Sequence, residues 1–274
     1  MTDKLKILCF ILFLQPAVVP GLYGQDIQLA DSLKDYKSLI RIGENLTYIV
    51  KYAFLNIGEI NIIVEKKDTL KGRNIYKSKA YIDSYEGLPF VNMHQVYQSW
   101  FDSTLFPVYF EGEMYKDEDT TFTKYYFIND SLVHVVKGNL NPSKTFLDTV
   151  INLHMRFQDG FSLLYFARFN FRQKDTTLVG CFINEDTAET KIEYYRQSEP
   201  VSIDAVDYDI DCLKLTGETN FTGIFGLTGH FEGWFSNDAY LVPILARLNV
   251  IIGSISVELI DWKDKKWMPP EYKN

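Results

Sequence analysis

Through most of this chain apolar and polar residues alternate with a period of two. In "GENLTYIVKYAFLNIGEINIIVE" (Gly43 to Glu65), apolar side chains fall at Leu46, Tyr48, Val50, Tyr52 and Phe54, and again at Ile60, Ile62 and Val64. A period of two puts successive side chains on opposite faces of a strand. The pattern therefore predicts half-buried strands over Leu46–Phe54 and Glu59–Glu65. Between them, Leu55-Asn56-Ile57-Gly58 predicts a tight turn, with Gly58 supplying a positive φ, a bulge or a close backbone approach.

The same beat recurs in "IYKSKAYIDSY", "HQVYQSWFD" and "LFPVYFEGEMY", with "KKDTLKGRN" and "EGLPF" as interruptions. "KDEDTTFTKYYFIND" and "SLVHVVKG" predict a hairpin turning at Asn129-Asp130, and "DTVINLHMRF" one more strand. A single internal stretch departs from the pattern. In "QDGFSLLYFARFNFRQ", Asp159 is suited to cap a helix, and Phe161, Leu164, Tyr165 and Phe169 follow at helical spacing. Strands resume in "TTLVGCFIN", "TAETKIEYYRQS" and "YDIDCLKLTGET", and the chain closes with a turn at Asn237-Asp238 and a last strand, "GSISVELIDW". The fold class expected is mainly β: a curved antiparallel sheet, or an open barrel or sandwich, around one central helix. No linker or long repeat divides residues 43–262, which read as one domain.

The two ends differ from this body. Lys4 and Lys6 precede an apolar run, Ile7 to Leu14, and a looser stretch to Gly24. This is the order of a secretory leader, expected to be cleaved after Gly24, and the run is short for a bilayer span. Cys9 lies inside it. Residues 25–42 read as an N-terminal arm, and 263–274 ("KDKKWMPPEYKN") as a short, extended, polar tail. The cleaved leader makes the mature chain expected to be periplasmic or otherwise exported, and no other segment is long and apolar enough to span a membrane.

Composition narrows the partners. The net charge of -8 offers no basic stripe for nucleic acid and disfavours an anionic membrane surface. With 20 Phe and 18 Tyr, aromatics make up 15% of the chain. Strand propensity and core filling account for most such residues, while a greasy or sugar-stacking pocket is the sharper use.

Candidate chemistry is sparse. His94, His134, His154 and His230 are scattered without metal-ligand spacing, and neither a nucleophile elbow nor a phosphate-binding glycine loop is present. No catalytic residue, metal or cofactor is assigned. Asp207, Asp209 and Asp211 share a strand face, but a flat row of carboxylates is a solvated face more readily than a calcium cage. Glu111 and Glu113 lack any sign of the facing geometry an acid/base pair requires. In an oxidising compartment Cys181 and Cys212 suggest one disulfide. Asp-Ser/Thr steps recur, as at Asp68-Thr69, Asp130-Ser131 and Asp186-Thr187. They are similar to bacterial O-glycosylation acceptors, although the same pairs are ordinary turn chemistry.

Taken together, "GENLTYIVKYAFLNIGEINIIV", "DGFSLLYFAR", "YDIDCLKL" and "WFSNDAYLVPILARLNVIIGSISVEL" resemble, in order and spacing, the bacterial DUF3108 family, a domain of unknown function. The resemblance runs from about Gly43 to Trp262. It implies an exported, mostly β envelope protein and carries over no catalytic residues. One departure is Leu241-Val242 before Pro243, where the family often has a basic residue. The closing segment also resembles, in architecture, lipoprotein carriers of the LolA/LolB type, in which a curved sheet wraps a helix around an apolar cavity. The reading they support is a binding or scaffold protein, and its sharper form is a cavity for a lipid or other apolar ligand, lined by aromatics. Tyr165, Arg168 and Trp234 are the candidate ligand-binding residues. The plainer assignment makes Tyr165 and Trp234 core and Arg168 a helix-end cap. An envelope glycan- or lipid-modifying enzyme, or a module binding an envelope protein partner, remains open at this point.

Overall fold

A computed structural model describes residues 39–70, 72–88, 91–116, 119–223, 227–250 and 253–273. The expected leader and residues 25–38 of the 25–42 arm lie outside the described residues. Leu39 and Ile40, at the end of that arm, are buried.

Eight strands precede the helix: β1 (Asn45–Tyr52), β2 (Leu55–Leu70), β3 (Arg73–Ser84), β4 (His94–Asp102), β5 (Pro107–Lys116), β6 (Asp119–Asn129), β7 (Leu132–Asn141) and β8 (Lys144–Asn152). The helix, α1, spans Ser162–Asn170. Six strands follow it: β9 (Thr176–Ile183), β10 (Asp186–Val201), β11 (Ile210–Thr219), β12 (Leu227–Ser236), β13 (Pro243–Val250) and β14 (Ser254–Trp262). All fourteen form one antiparallel sheet in the order β8-β7-β6-β5-β4-β3-β2-β1-β14-β13-β12-β11-β10-β9. Each half is a meander, and the halves join where β1 pairs with β14, Leu46 opposite Trp262. The sheet is open, with β8 and β9 at its edges.

Side-chain alternation decides which face is inside. In β3, Tyr76, Ser78, Ala80 and Ile82 are buried while Lys77, Lys79 and Tyr81 are only half so. The buried face of the sheet meets α1, which packs against two apolar clusters. One holds Leu46, Tyr48, Phe101 and Tyr165. The other holds Ala167, Ile192, Leu215 and Phe235. Leu164 and Phe166 touch both. The arms approach each other beyond the helix: Phe182 of β9 packs edge-on against Tyr125 of β6, with centroids 5.0 Å apart.

Three expectations are corrected, and the role of Gly58 is narrowed. The first turn is Ala53-Phe54, not Leu55–Gly58; Ala53 takes φ 52° and Phe54 is 90% exposed. Gly58 lies inside β2 beside a register shift in the β1–β2 ladder, and a Cβ there would sit 2.3 Å from the Asp83 carbonyl oxygen, so it serves an irregular ladder and a close backbone approach. β2 also runs on to Leu70, because the expected "KKDTLKGRN" loop is in fact the exposed end of the β2–β3 ladder. Finally, Cys181 and Cys212 are free and buried. They face Ala188 and Glu199, eleven residues apart along β10, far beyond the reach of a disulfide.

The C-terminal tail packs as a strap. Trp267 is buried against Trp262, its indole N–H donates to Asp238 (2.7 Å), and the amides of Asp211 and Tyr272 tie 209–211 to 270–272. Leu241 and Val242, the departure from the family pattern, are both buried.

Candidate functional site

The helix starts from a buried carboxylate. Gln158 hydrogen-bonds through its backbone to Gly180 and Phe182 of β9 (2.8 Å each), which fixes the approach to α1. Asp159 Oδ1 then accepts from the amides of Phe161 (2.7 Å) and Ser162 (2.6 Å), two of the donors a helix start leaves unpaired. Its Oδ2 accepts from the Ser99 hydroxyl of β4 (2.6 Å). The residue adjoining the helix is Phe161, so Asp159 caps from two positions further back than the sequence pattern implies. Burial pushes its carboxyl up to about 6, against the opposing pull of these hydrogen bonds.

Two of the three expected ligand residues lie together on α1, one turn apart, and both are committed to the protein. Ser78 donates to the Ile63 carbonyl (2.9 Å) and its oxygen meets the Tyr165 hydroxyl at 2.5 Å. Tyr165 also packs on Phe101, with centroids 4.8 Å apart. Arg168 is 1% exposed. Its guanidinium grips Glu44 with Nη1–Oε1 at 2.8 Å and Nη2–Oε2 at 3.3 Å, and also donates to the Tyr240 carbonyl (2.9 Å). Arg41 donates to Glu44 as well (3.0 Å) and stacks over Tyr240, 4.3 Å from its centroid. Both terminal nitrogens of Arg168 are therefore engaged, chiefly in a buried ion pair that ties the helix to the residue before β1, while its Nε is buried without a hydrogen-bond partner.

Trp234 lies elsewhere. Alternation along β12 puts it on the face opposite Phe231, Gly233 and Phe235. It is 4% exposed, its indole N–H donates to Glu199, and Lys214 and Arg247 lie 4.9 and 5.0 Å from its ring. The structure does not bring it to Tyr165 and Arg168.

Sequence reasoning expected an apolar cavity but not its place or lining, which lie on the other flank of α1. A cleft of about 190 Å³ lies between the helix and the sheet. Leu163, Leu164 and Ala167 line it from α1, Ile60 and Ile62 from β2, and Leu215, Phe231 and Ala246 from β11 to β13. Its lining includes two ionisable residues, Tyr48 and Glu232. Tyr48 donates to the Pro243 carbonyl (3.1 Å), and Glu232 is paired with Lys214 (2.5 Å). The signal available in the sequence was the run Leu163-Leu164, which gives α1 apolar residues on two sides.

The scattered polar residues have local partners. His94, His134 and His230 each face a cross-strand carboxylate, Asp83, Asp148 and Glu218. Asp209 accepts from Ser202 (2.5 Å) and Asp211 from Asn237 (2.9 Å). Among the described residues no three His, Cys, Asp or Glu side chains converge as a metal site would require. Among the same residues no helix is long and apolar enough to cross a membrane.

Comparison with known proteins points the same way on fold. A family model described as "Protein of unknown function (DUF3108)" matches residues 47–260. A β-barrel-like protein of the domain of unknown function DUF1849 from Brucella abortus is similar in structure, with a TM-score of 0.52 at 7% identity. That match covers 82% of this chain and 98% of the other. A protein from Bacteroides fragilis classed as exported, with a YmcC-like fold, matches at a TM-score of 0.34 and 11% identity, over 82% and 97% of the two chains. One from Parabacteroides distasonis classed as a lipoprotein scores 0.34 at 10% identity, over 82% and 96%. No curated protein matches the chain.

Proposed function

The chain belongs to the DUF3108 family, and from that premise we propose that it is an exported cell-envelope protein whose cleft beside α1 holds an apolar molecule, a lipid or an acyl chain. The observation that carries this reading is the cleft itself. Protein interiors are close-packed, and a void lined by Leu, Ile and Phe forfeits contacts that an apolar guest would restore. Its makeup, apolar walls with few polar groups, is that of ligand sites in general. The leader-like N-terminus supports export.

The ligand residues assigned by this reading are Leu164, Phe231 and Ala246, in place of Tyr165, Arg168 and Trp234. An enzyme acting on envelope lipids or glycans would need ionisable groups converging on the cleft, and both Tyr48 and Glu232 are engaged elsewhere.

Native mass spectrometry of protein purified gently from its own envelope, with organic extraction of what co-purifies, tests the proposal. A discrete bound lipid is expected, and it should be lost in Ala246→Phe, whose ring occupies the cleft, while the circular dichroism spectrum is unchanged. A clean apo mass, together with no uptake of an added neutral apolar fluorophore, would overturn it.

A further inference from the structure

A second cavity, of about 120 Å³, adjoins the apolar cleft, and Gly160, Ile183 and Gly223 line both. Its character is different. Tyr97, Thr123, Tyr125, Lys137, Asn184 and Glu185 line it. Lys137 is the sole cationic side chain lining either cavity among the described residues.

The turn that follows Ile183, a residue lining both spaces, is under strain. β9 and β10 are joined by Asn184 and Glu185, with φ 53° and 62°. Asn tolerates the left-handed region; Glu rarely adopts it, and glycine is usual at the second position of such a turn. Strained residues persist where surrounding contacts over-determine them. Here Glu185 Oε1 accepts from Tyr125 (2.8 Å) and Oε2 from Lys137 (2.7 Å), while Asn184 donates to the Thr222 carbonyl (3.0 Å). The tip thus reaches from one arm of the sheet to β6 and β7 of the other.

Hydrogen-bonding capacity at this end is lopsided. Both Glu185 oxygens already accept, and the Tyr97 hydroxyl donates to Gln95 (2.9 Å). Lys137 has three N–H donors, of which Glu185 takes one. Two ammonium donors therefore remain for a guest, beside the Thr123 hydroxyl.

We propose that the two cavities form one site for a single-chain amphiphile, its tail in the apolar cleft and an anionic head, a carboxylate or a phosphate, on Lys137. This rests on the apolar-ligand reading and adds the orientation and charge of the guest. Lys137 is a positioning charge, and Glu185 competes with the head for it.

The test is displacement of the neutral fluorophore N-phenyl-1-naphthylamine from the purified full chain by oleate, its methyl ester, oleoyl lysophosphatidate and inorganic phosphate. One of the two anionic amphiphiles is expected to bind about tenfold tighter than the methyl ester, as a charge-assisted hydrogen bond allows. Whichever is tighter names the head as carboxylate or phosphate, and phosphate alone should displace nothing. Lys137→Met should bring the anionic ligands to within about twofold of the ester, Lys137→Arg should keep the preference, and Glu185→Gln should strengthen it. Failure of the fluorophore to bind would sink the apolar-ligand reading. Binding of fluorophore and ester with no preference for either anion, in wild type and Glu185→Gln alike, would sink this proposal alone.

Discussion

The two flanks of α1 are built on opposite principles. On one, Asp159, Tyr165 and Arg168 are buried, and each reaches a partner on the sheet side: Ser99, Ser78 and Glu44. On the other, Leu163, Leu164 and Ala167 face a cleft of about 190 Å³ that no side chain fills. The comparison teaches why the first flank holds position and the second is free to rearrange. A buried polar group left without its partner is costly, so the polar flank tolerates one arrangement. Apolar contacts are non-directional, so the apolar flank tolerates many.

The largest expected effect follows from breaking the polar flank. Glu44→Ala strands the Arg168 guanidinium in the interior and should cost about 3–5 kcal/mol in urea unfolding. Replacing both partners, as Glu44→Leu with Arg168→Met, should recover most of that loss. A double variant as unstable as the single one would mean that the pair itself, and not the stranded charge, sets the cost.

A pH series sharpens the comparison. The Asp159 carboxyl is raised from 3.8 to about 6 in the folded protein. Between those values the folded state keeps a proton that the unfolded state has released. Its stabilising share is therefore fully present below pH 4 and lost as the pH rises through 6, at no more than about 1.4 kcal/mol per pH unit. In Asp159→Asn, which retains an acceptor for the two helix amides, this slope should vanish. An unchanged slope would assign it to another group.

Smaller effects should follow from Tyr165→Phe, which deletes one neutral hydrogen bond to a buried serine and should cost about 1 kcal/mol. Smallest of all is the apolar flank: Ala246→Phe should change unfolding free energy by less than about 1 kcal/mol, because its ring enters space already open. A penalty above that of Tyr165→Phe would show the cleft to be less accommodating than its volume implies.

Much of the fold was legible because a half-buried strand advertises itself. Tyr76, Ala80 and Ile82 mark an inward face directly. Ser78 falls on the same beat, and only the structure shows that it meets Tyr165 where the helix docks. What could not be read is whatever depends on partners distant in sequence. Arg168 looked like a ligand residue because nothing near it in the chain neutralises it; Glu44 lies 124 residues away. Trp234 looked available because aromatic residues bind ligands, but strand parity relative to the helix decides which face it takes. The first turn was misplaced because Gly58 is the usual mark of a turn, whereas here backbone crowding by Asp83 requires it.

The β1–β14 seam sets an order of events. Every other ladder joins strands that follow one another in sequence, but this one brings the first strand to the last. A chain synthesised from its N-terminus can wind up β1 to β8 early, yet β1 keeps a bare edge until β14 has emerged. Non-local pairings form slowly, because the loop they close is long. The middle of the finished sheet is therefore its last part to assemble, and pulse-labelled hydrogen exchange should find the seam-side amides of β1 protected after those of β6 and β7. A protein zipped shut at its centre by its final strand keeps two half-sheets apart until that strand arrives, so a chain cut before β14 should be left with a bare β1 edge.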